Sequence, residues 1–295
     1  MSTFINSFWG GVVITPVGHM TISTTSSSST WSPLIVSNTG STLTWVATGA
    51  ATQTIIADDP IFDFSLNTTN DIINIDVYLV SSLTTLITGG TDITTINLFE
   101  CTSLERFQSQ NDNITSLDIS NNLSLNTLSI NLNPLNYISV TNNILLTSIN
   151  IGYGSNITGL DVSNNTLLTG LLLHNGNNTL ADGLDVSNNT LLTSLWVNDS
   201  LIPSLDVSNN TLLKQLYFQN TAMTTIPTGI SGLTSLESIY SFGNSFSSTE
   251  TNTLLADLVT CSVTNGFLYF TSNETGQGIT DRATLVTRGW SITEL

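Results

Sequence analysis

The sequence is poor in positive charge and has no long hydrophobic run. Only 4 of its 295 residues are Lys or Arg, against 21 Asp and Glu, which gives a formal net charge of −17. Four cations cannot neutralise a row of phosphates, so nucleic-acid binding is excluded and anionic membrane surfaces are disfavoured. No stretch reaches the roughly 18 apolar residues of a membrane span, so we expect no membrane insertion. The first ten residues carry no basic segment ahead of an apolar one, and we expect no Sec signal.

Cysteine and histidine are equally scarce. Cys101 and Cys261 are the only two cysteines, which excludes a disulfide scaffold or a four-cysteine zinc site and favours two small buried thiols. His19 and His174 lie far apart in the sequence, and no nucleophile-elbow, zinc-protease, Walker or dinucleotide motif occurs. Asp182 is near His174, but no third partner is evident. We therefore expect no enzyme: no catalytic residues, no cofactor and no metal site.

What the sequence does contain is a repeat. The string Leu-Asp-Val/Ile-Ser-Asn-Asn recurs, with a divergent copy that reads Ile-Ser-Val-Thr-Asn-Asn, and successive copies start 21, 22, 24 and 21 residues apart. A second string, Leu-x-x-Leu-x-Val/Ile/Leu/Phe, alternates with it in the same phase. The copies of the first string are Leu117–Asn122, Ile138–Asn143, Leu160–Asn165, Leu184–Asn189 and Leu205–Asn210.

These segments resemble the leucine-rich repeat, over about residues 71–246. Leu125 to Leu135 reads LNTLSINLNPL, which follows the family pattern L-x-x-L-x-L-x-x-N-x-L. The alternation of LDVSNNT with a looser half is similar to the short repeats of Bacteroidetes surface proteins and their phages. The resemblance implies a solenoid that displays one face for recognition.

The residues themselves predict the same architecture. In L-x-x-L-x-V the last Leu and the Val point one way and the residue between them the other way, as in a strand. One coil of about 21 residues cannot bury its apolar side alone, whereas stacked coils share a core. Because both half-repeats have strand spacing, we predict a mostly β solenoid with two parallel sheets and few helices. We also predict an asparagine ladder at the ninth position of the pattern.

The two ends differ from the middle. Residues 1–70 are rich in Ser and Thr, and predict a β-rich N-terminal cap, an attachment region, or both. The solenoid is assigned to residues 71–246. In residues 247–295, Ser247 or Ser248 begins a predicted helix with apolar residues at helical spacing, followed by an alternating strand-like segment. We expect this region to form a small α+β cap, which solenoids need at their ends.

One exposed file is acidic. The outward positions of the first string include Asp118, Asp161, Asp185 and Asp206, each followed two residues later by Ser. Two interpretations stay open: a row that binds a cation, or a solvated file in which each Asp bonds the neighbouring Ser. No calcium loop of the D-x-D-x-D-G type is present, so we expect no strong metal site.

The other exposed face is the candidate site. Its outward positions become large toward the C-terminus, which is typical of a contact surface. A flat strip of this kind could stack on sugar rings or on a partner protein; alternatively, the C-terminal cap or a neighbouring subunit covers it. The first row consists of Leu172, Trp196, Tyr217 and Tyr240, and the second row, two residues further along each coil, of His174, Asn198, Gln219 and Phe242.

Three functions are compatible with these patterns. The main hypothesis is a non-enzymatic virion protein, such as a phage spike, fibre or tail-associated protein, that contacts other virion proteins or a host surface receptor made of protein or glycan. The alternative is a secreted or surface-displayed bacterial leucine-rich-repeat adhesin. A scaffold or inhibitor inside a cell fits the Ser/Thr/Asn-rich surface less well. A homo-oligomer stays open.

Overall fold

The computed structural model describes residues 19–24, 26, 35–38, 44–48, 53–56, 73–78, 83–221 and 223–294. Its first strands are β1 His19–Thr24, β2 Ile35–Asn38, β3 Thr44–Thr48, β4 Gln53–Ile56, β5 Ile73–Tyr78, β6 Leu83–Gly89 and β7 Ile93–Asn97. They are followed by β8 Arg106–Gln110, β9 Thr127–Asn131, β10 Ser148–Asn150, β11 Gly170–Leu172, β12 Ser194–Trp196, β13 Gln215–Tyr217 and β14 Ser238–Tyr240. The C-terminal elements are α1 Ser248–Thr260, β15 Phe267–Phe270, α2 Gln277–Thr287 and β16 Ser291–Glu294.

Most of the chain winds around one long sheet. This sheet has 11 strands in the order β16-β15-β14-β13-β12-β11-β10-β9-β8-β6-β2. From β6 to β16 every pairing is parallel, and only the edge strand β2 runs antiparallel, against β6. The predicted mostly β leucine-rich-repeat solenoid is confirmed.

The core lies between this sheet and the opposite side of each coil, which is formed by the copies of the first string, Leu-Asp-Val/Ile-Ser-Asn-Asn; we call these segments the second half-repeats. In β9 the pattern of burial alternates, so that Leu128 and Ile130 are fully buried while Ser129 stays half-exposed. The second half-repeat contributes the Leu and the Val or Ile of each copy, such as Val162 and Val186, which are 1% exposed. Truncating one such Leu or Ile to Ala typically costs about 2–5 kcal/mol, so the repeated apolar positions hold the coils together.

The second parallel sheet that we predicted is not a continuous sheet. In the described residues, the second half-repeats pair only through isolated parallel bridges, Ser116 with Tyr137, Thr179 with Leu201 and Asp206 with Thr228. The reason is local hydrogen bonding. The Asp of the string accepts the backbone N–H of the Ser two residues on, as in Asp161 and Ser163 at 2.9 Å. This Asx turn uses a donor that a sheet would need and ends the strand after a few residues.

The asparagine ladder also lies elsewhere than predicted. The ninth position holds Asn only at Asn133 and Asn244 among its eight occurrences, and is Gly, Ser, Thr or Asp in the other coils. The continuous ladder is formed instead by the second Asn of each first string. For example, Asn165 Nδ2 donates to the carbonyls of Val140 at 3.0 Å and Asn143 at 2.8 Å. The ladder residues are Asn122, Asn143, Asn165, Asn189 and Asn210, all fully buried.

A smaller antiparallel sheet precedes the regular coils, in the order β4-β3-β5-β1-β7. It takes β1, β3 and β4 from the predicted N-terminal region and β5 and β7 from the predicted solenoid. The boundary at residue 70 therefore stays a prediction, although one sheet uses strands from both sides of it. His19 lies at the start of β1, far in sequence from His174.

The C-terminal region contains the predicted helix. Ser247 caps α1 by accepting the N–H of Glu250 at 3.2 Å, and Leu254, Leu255 and Leu258 are buried. Helix α2 was not predicted, because its buried positions include only one large apolar side chain, Leu285. None of the described helices is both long enough and apolar enough to cross a bilayer.

Both cysteines are buried and unpaired, as expected. Burial raises the pKa of Cys101 to about 12 and that of Cys261 to about 11. Cys101 occupies the ladder position of the coil before Asn122, whose Nδ2 donates to the Cys101 carbonyl at 2.9 Å.

Candidate functional site

The first predicted row is aligned by the parallel sheet. Leu172 pairs with Trp196, Trp196 with Tyr217, and Tyr217 with Tyr240. Because parallel strands in register place equivalent side chains side by side on one face, these four residues form a continuous file. All four are half-buried, so each leaves part of its surface open to solvent.

The file extends one residue further than predicted. Tyr240 pairs with Tyr269 of β15, so the C-terminal cap continues the sheet. Tyr269 follows Tyr240 by 29 residues, whereas Tyr240 follows Tyr217 by 23. The longer spacing, with α1 inserted between the strands, hid this register from sequence reasoning, although the alternation of Phe267 to Phe270 indicated a strand. We call Trp196, Tyr217, Tyr240 and Tyr269 the aromatic strip.

The rings of the aromatic strip are stacked on one another. The Trp196 and Tyr217 centroids are 4.9 Å apart with 25° between planes, and those of Tyr217 and Tyr240 are 4.2 Å apart with 15°. Tyr240 and Tyr269 are 4.4 Å apart and tilted by 53°. Such pairs contribute about 0.5–1.5 kcal/mol each beyond burial. The strip is therefore a rigid surface that loses little conformational freedom on contact.

Hydrogen bonds and burial further immobilise the tyrosines. The hydroxyls of Tyr217 and Ser238 are 3.0 Å apart. Burial, and then the neighbouring Tyr217 and Tyr269, raise the pKa of Tyr240 above its ordinary value. The raised pKa keeps the Tyr240 phenol neutral at physiological pH, so this residue offers shape, stacking and hydrogen bonding rather than charge.

The second predicted row is present but lies deeper than expected. Backbone bonds between neighbouring coils align His174, Asn198, Gln219 and Phe242, for example Asn175 N to the Asn198 carbonyl and Asn220 N to the Phe242 carbonyl. His174 is 8% exposed and Asn198 is 5% exposed, so both are buried. Only Gln219 and Phe242 are half-exposed. The second row thus supports the aromatic strip from one side and offers less contact surface than the sequence predicted.

His174 is a packing residue. Its Nε2 lies 3.1 Å from Asn150 Oδ1 and its Nδ1 lies 3.0 Å from Asn175 Nδ2. Its ring also contacts those of Tyr153 and Trp196 edge-on, at centroid distances of 5.2 and 5.7 Å. Burial lowers the pKa of His174 below its ordinary value, so the ring is neutral at pH 7. Tyr153 and Asn150 were not among the predicted site residues.

Two polar atoms at the strip have no partner. Trp196 Nε1 and Gln219 Oε1 are buried and make no hydrogen bond to any described residue. An unpaired buried polar atom costs about 1–3 kcal/mol. Nearby, Asp199 accepts hydrogen bonds from Asn198 at 2.6 Å and Asn220 at 2.8 Å. The edge of the strip therefore combines unpaired polar atoms with an amide–carboxylate cluster.

The acidic file has the geometry of the solvated alternative, in which each Asp bonds a neighbouring Ser. Asp118, Asp161, Asp185 and Asp206 are exposed, and each accepts the N–H of a following Ser at 2.9 Å. Hydrogen bonds from the hydroxyl and N–H of Ser163 hold the pKa of Asp161 below its ordinary value. The pKa of Asp118 is lowered in the same way, with the Ser120 N–H as the largest cause. These carboxylates stay ionised at neutral pH.

Neither a known family profile nor a curated protein sequence matches this chain. Solved structures do. The functional domain of InlJ from Listeria monocytogenes, described as including a cysteine ladder, aligns with 23% identity and a TM-score of 0.53 over 66% of this chain and 50% of that one. A leucine-rich-repeat protein of Leptospira interrogans aligns with 17% identity and a TM-score of 0.55 over 74% of this chain and 61% of that one.

These comparisons define the fold. The chain is a leucine-rich-repeat solenoid, and it spans less than two thirds of the length of either neighbour. The buried ladder of this chain consists of five asparagines. The resemblance to the short-repeat Bacteroidetes and phage subtype stays a prediction.

Proposed function

We propose that this chain is a non-enzymatic recognition module that contacts a partner through the aromatic strip, as a secreted or surface-displayed adhesin of bacteria does. The observation that carries the proposal is the in-register stacking of Trp196, Tyr217, Tyr240 and Tyr269 on the open face of the sheet. Trp and Tyr are enriched among residues that dominate interface energies, and aligned rings suit a flat partner surface.

The composition of the file supports a localised contact. The same row reads Gln108, Ser129 and Asn150 in the earlier coils and becomes aromatic only from Trp196 onward. A change of this kind along one structural file has no cause in the stacking of the coils, because each position meets the same backbone. We attribute it to a partner that touches the C-terminal half of the sheet.

No catalytic arrangement competes with this proposal in the described residues. His174 is held by Asn150 and Asn175, whereas Asp182 lines a cavity on the other side of the coil, so the two do not form a dyad. Both structural neighbours are bacterial proteins, which favours the adhesin alternative. The virion interpretation stays a prediction that no observation on this molecule supports.

The test is a pair of double variants. The full chain and its Trp196→Ala/Tyr217→Ala variant are compared on an array of glycans and host-surface proteins. Because the variant removes two stacked rings, binding to the recognised spots is expected to weaken at least about tenfold. The control, Gln108→Ala/Ser129→Ala, changes the same file in the earlier coils and is expected to bind as the parent does.

Two outcomes would contradict the proposal. One is that the aromatic double variant binds the same spots with the same affinity as the control. The other is that light scattering finds a dimer of the parent chain that the aromatic variant converts to a monomer, since the strip would then be an interface between copies.

A further inference from the structure

A second candidate site lies on the side of the solenoid formed by the second half-repeats. A cavity of about 600 Å³ opens there, remote in the coil from the aromatic strip. Its lining includes Tyr137, Gly159, Asp161, Asp182 and Gly183. None of these residues belongs to a strand of the parallel sheet.

The cavity arises from a local change in the repeat. The residue just before the first Leu or Ile of each second half-repeat is Ser116, then Tyr137, then Gly159 and Gly183, then Ser204. Two successive glycines beside a tyrosine leave a hollow with one aromatic wall. A Cβ placed on Gly159 meets no atom within 4 Å, and Tyr137 is 65% exposed, the most exposed large apolar side chain of the described residues.

The cavity is negatively charged. Asp161 accepts the Ser163 N–H on Oδ1 at 2.9 Å and is otherwise exposed to solvent. The carboxylate of Asp182 makes no hydrogen bond or ion pair with the other described residues. Uncompensated carboxylates in a concave site raise the local concentration of cations.

None of the cations of the chain neutralises this cavity. No Lys or Arg is among its lining residues. Lys214 pairs with Glu237 at 2.9 Å, Arg282 with Glu274 at 3.1 Å, and Arg288 donates to the Val259 carbonyl. The fourth, Arg106, lies at the start of β8. A complementary charge must therefore come from another molecule.

We infer that this cavity binds a cationic side chain of a partner peptide, a guanidinium or ammonium group, between the Tyr137 ring and the carboxylates of Asp161 and Asp182. A cation over an aromatic face gains cation–π attraction, and the carboxylates accept its N–H groups. The site is separate from the aromatic strip, so a module of this kind would hold a partner at two places on opposite sides of the coil.

The binding test uses the full ¹⁵N-labelled chain and short capped peptides. Acetyl-Gly-Arg-Gly-amide is expected to shift the amide signals of Gly159 and Gly183, whereas acetyl-Gly-Gln-Gly-amide is expected to leave them unchanged. Raising the salt concentration from about 50 to about 300 mM is expected to weaken binding of the arginine peptide at least about threefold, because the charges are screened. Spermidine is the third probe: if it binds more tightly than the peptide, the site is one for free polyamines and the inference of a peptide partner is wrong.

Variants locate the binding. Gly159→Leu fills the hollow and is expected to abolish the shifts, while Gly232→Leu, another glycine with open space around its Cβ position, is expected to preserve them. Asp161→Asn keeps the turn to Ser163 but removes the charge, and is expected to weaken binding at least about threefold. Its control, Asp206→Asn, removes the same charge outside the cavity.

Tyr137→Ala is expected to weaken binding about threefold to tenfold, and Tyr137→Phe to retain it. The inference is overturned if Gly159→Leu binds as the parent does, or if a neutral sugar such as cellobiose shifts the same signals and the arginine peptide does not. The Trp196→Ala/Tyr217→Ala variant is expected to bind the arginine peptide normally. Failure at one site is therefore distinguishable from failure at the other.

Discussion

Two files of side chains run along the same coils and differ in how much they vary. The buried ladder is asparagine in five successive coils, and each Nδ2 contacts two carbonyls of the coil before it. The open file on the sheet changes from Gln108 through Ser129 and Asn150 to Trp196 and the tyrosines. The ladder meets the same backbone demand in every coil, so its identity is constant. The open file has no such demand, which leaves it free to carry recognition.

The largest effect is expected in the ladder. Asn165→Ala removes the two hydrogen bonds that its Nδ2 donates to the carbonyls of Val140 and Asn143, which keep only the N–H groups of Asn143 and Leu146, and we expect the free energy of unfolding to fall by about 1–3 kcal/mol in urea denaturation. The control is the adjacent Asn164→Ala, whose exposed side chain donates to the Thr141 carbonyl at 3.1 Å, and which should cost less than about 1 kcal/mol. Equal losses of unfolding free energy in the two variants would contradict the claim that the buried ladder asparagines stabilise the coils more than the exposed ones do.

The next effect concerns the end of the open file. Tyr269→Ala removes the last ring of the aromatic strip, and we expect partner binding to weaken about threefold to tenfold, less than for Trp196→Ala/Tyr217→Ala. The measurement is a titration against a partner found on the array. Phe267→Ala is the control, since Phe267 is an exposed aromatic of the same strand on neither row. Normal binding by Tyr269→Ala would end the strip at Tyr240.

A smaller effect is expected at the turn that follows each strand. One residue per coil has a positive φ here, including Asn111 at 56°, Leu132 at 55° and Asn220 at 53°. The left-handed backbone conformation is strained for Leu, and the strain is smaller for Asn. Leu132→Asn should raise the free energy of unfolding by about 0.5–1 kcal/mol, whereas Leu123→Asn, also an exposed Leu, should not. A lower melting temperature for Leu132→Asn would show that its side chain matters more than its backbone.

The smallest effect is expected from His174. Its folded pKa is lowered by burial, so the unfolded state takes up a proton first as the pH falls below about 6.5. The stabilising contribution is present above that pH and is lost as the pH drops through the folded pKa. Thermal denaturation at pH 7.5 and 5.5 should therefore show a larger fall for the parent than for His174→Gln. A parent melting temperature that rises on acidification would reverse the sign and place a cation-stabilising group beside the ring.

The sequence predicted the elements that depend on periodicity. Coil spacing, the buried Leu and Val positions and the register of Leu172, Trp196, Tyr217 and Tyr240 all follow from counting residues, because stacked coils repeat one local geometry. The Ser247 cap of α1 could also be predicted from the sequence, since capping is a local interaction. Each of these rests on residues close together in the chain.

The remaining features could not be predicted by counting residues along the chain. Tyr269 joins the strip only because α1 fits into a longer connection, and His174 is buried only because Tyr153 and Trp196 close over it. The hollow between Tyr137 and Asp182 needs three neighbouring coils to be assembled.

Composition and periodicity by themselves determined a solenoid of stacked coils with files of equivalent side chains, because one coil cannot bury its apolar residues without the next. Tertiary structure alone decided that the second half-repeats form turns, that the ladder uses the second asparagine, and which exposed residues enclose a cavity. Those outcomes depend on competition for backbone hydrogen bonds and on packing between coils, which single-coil patterns do not record.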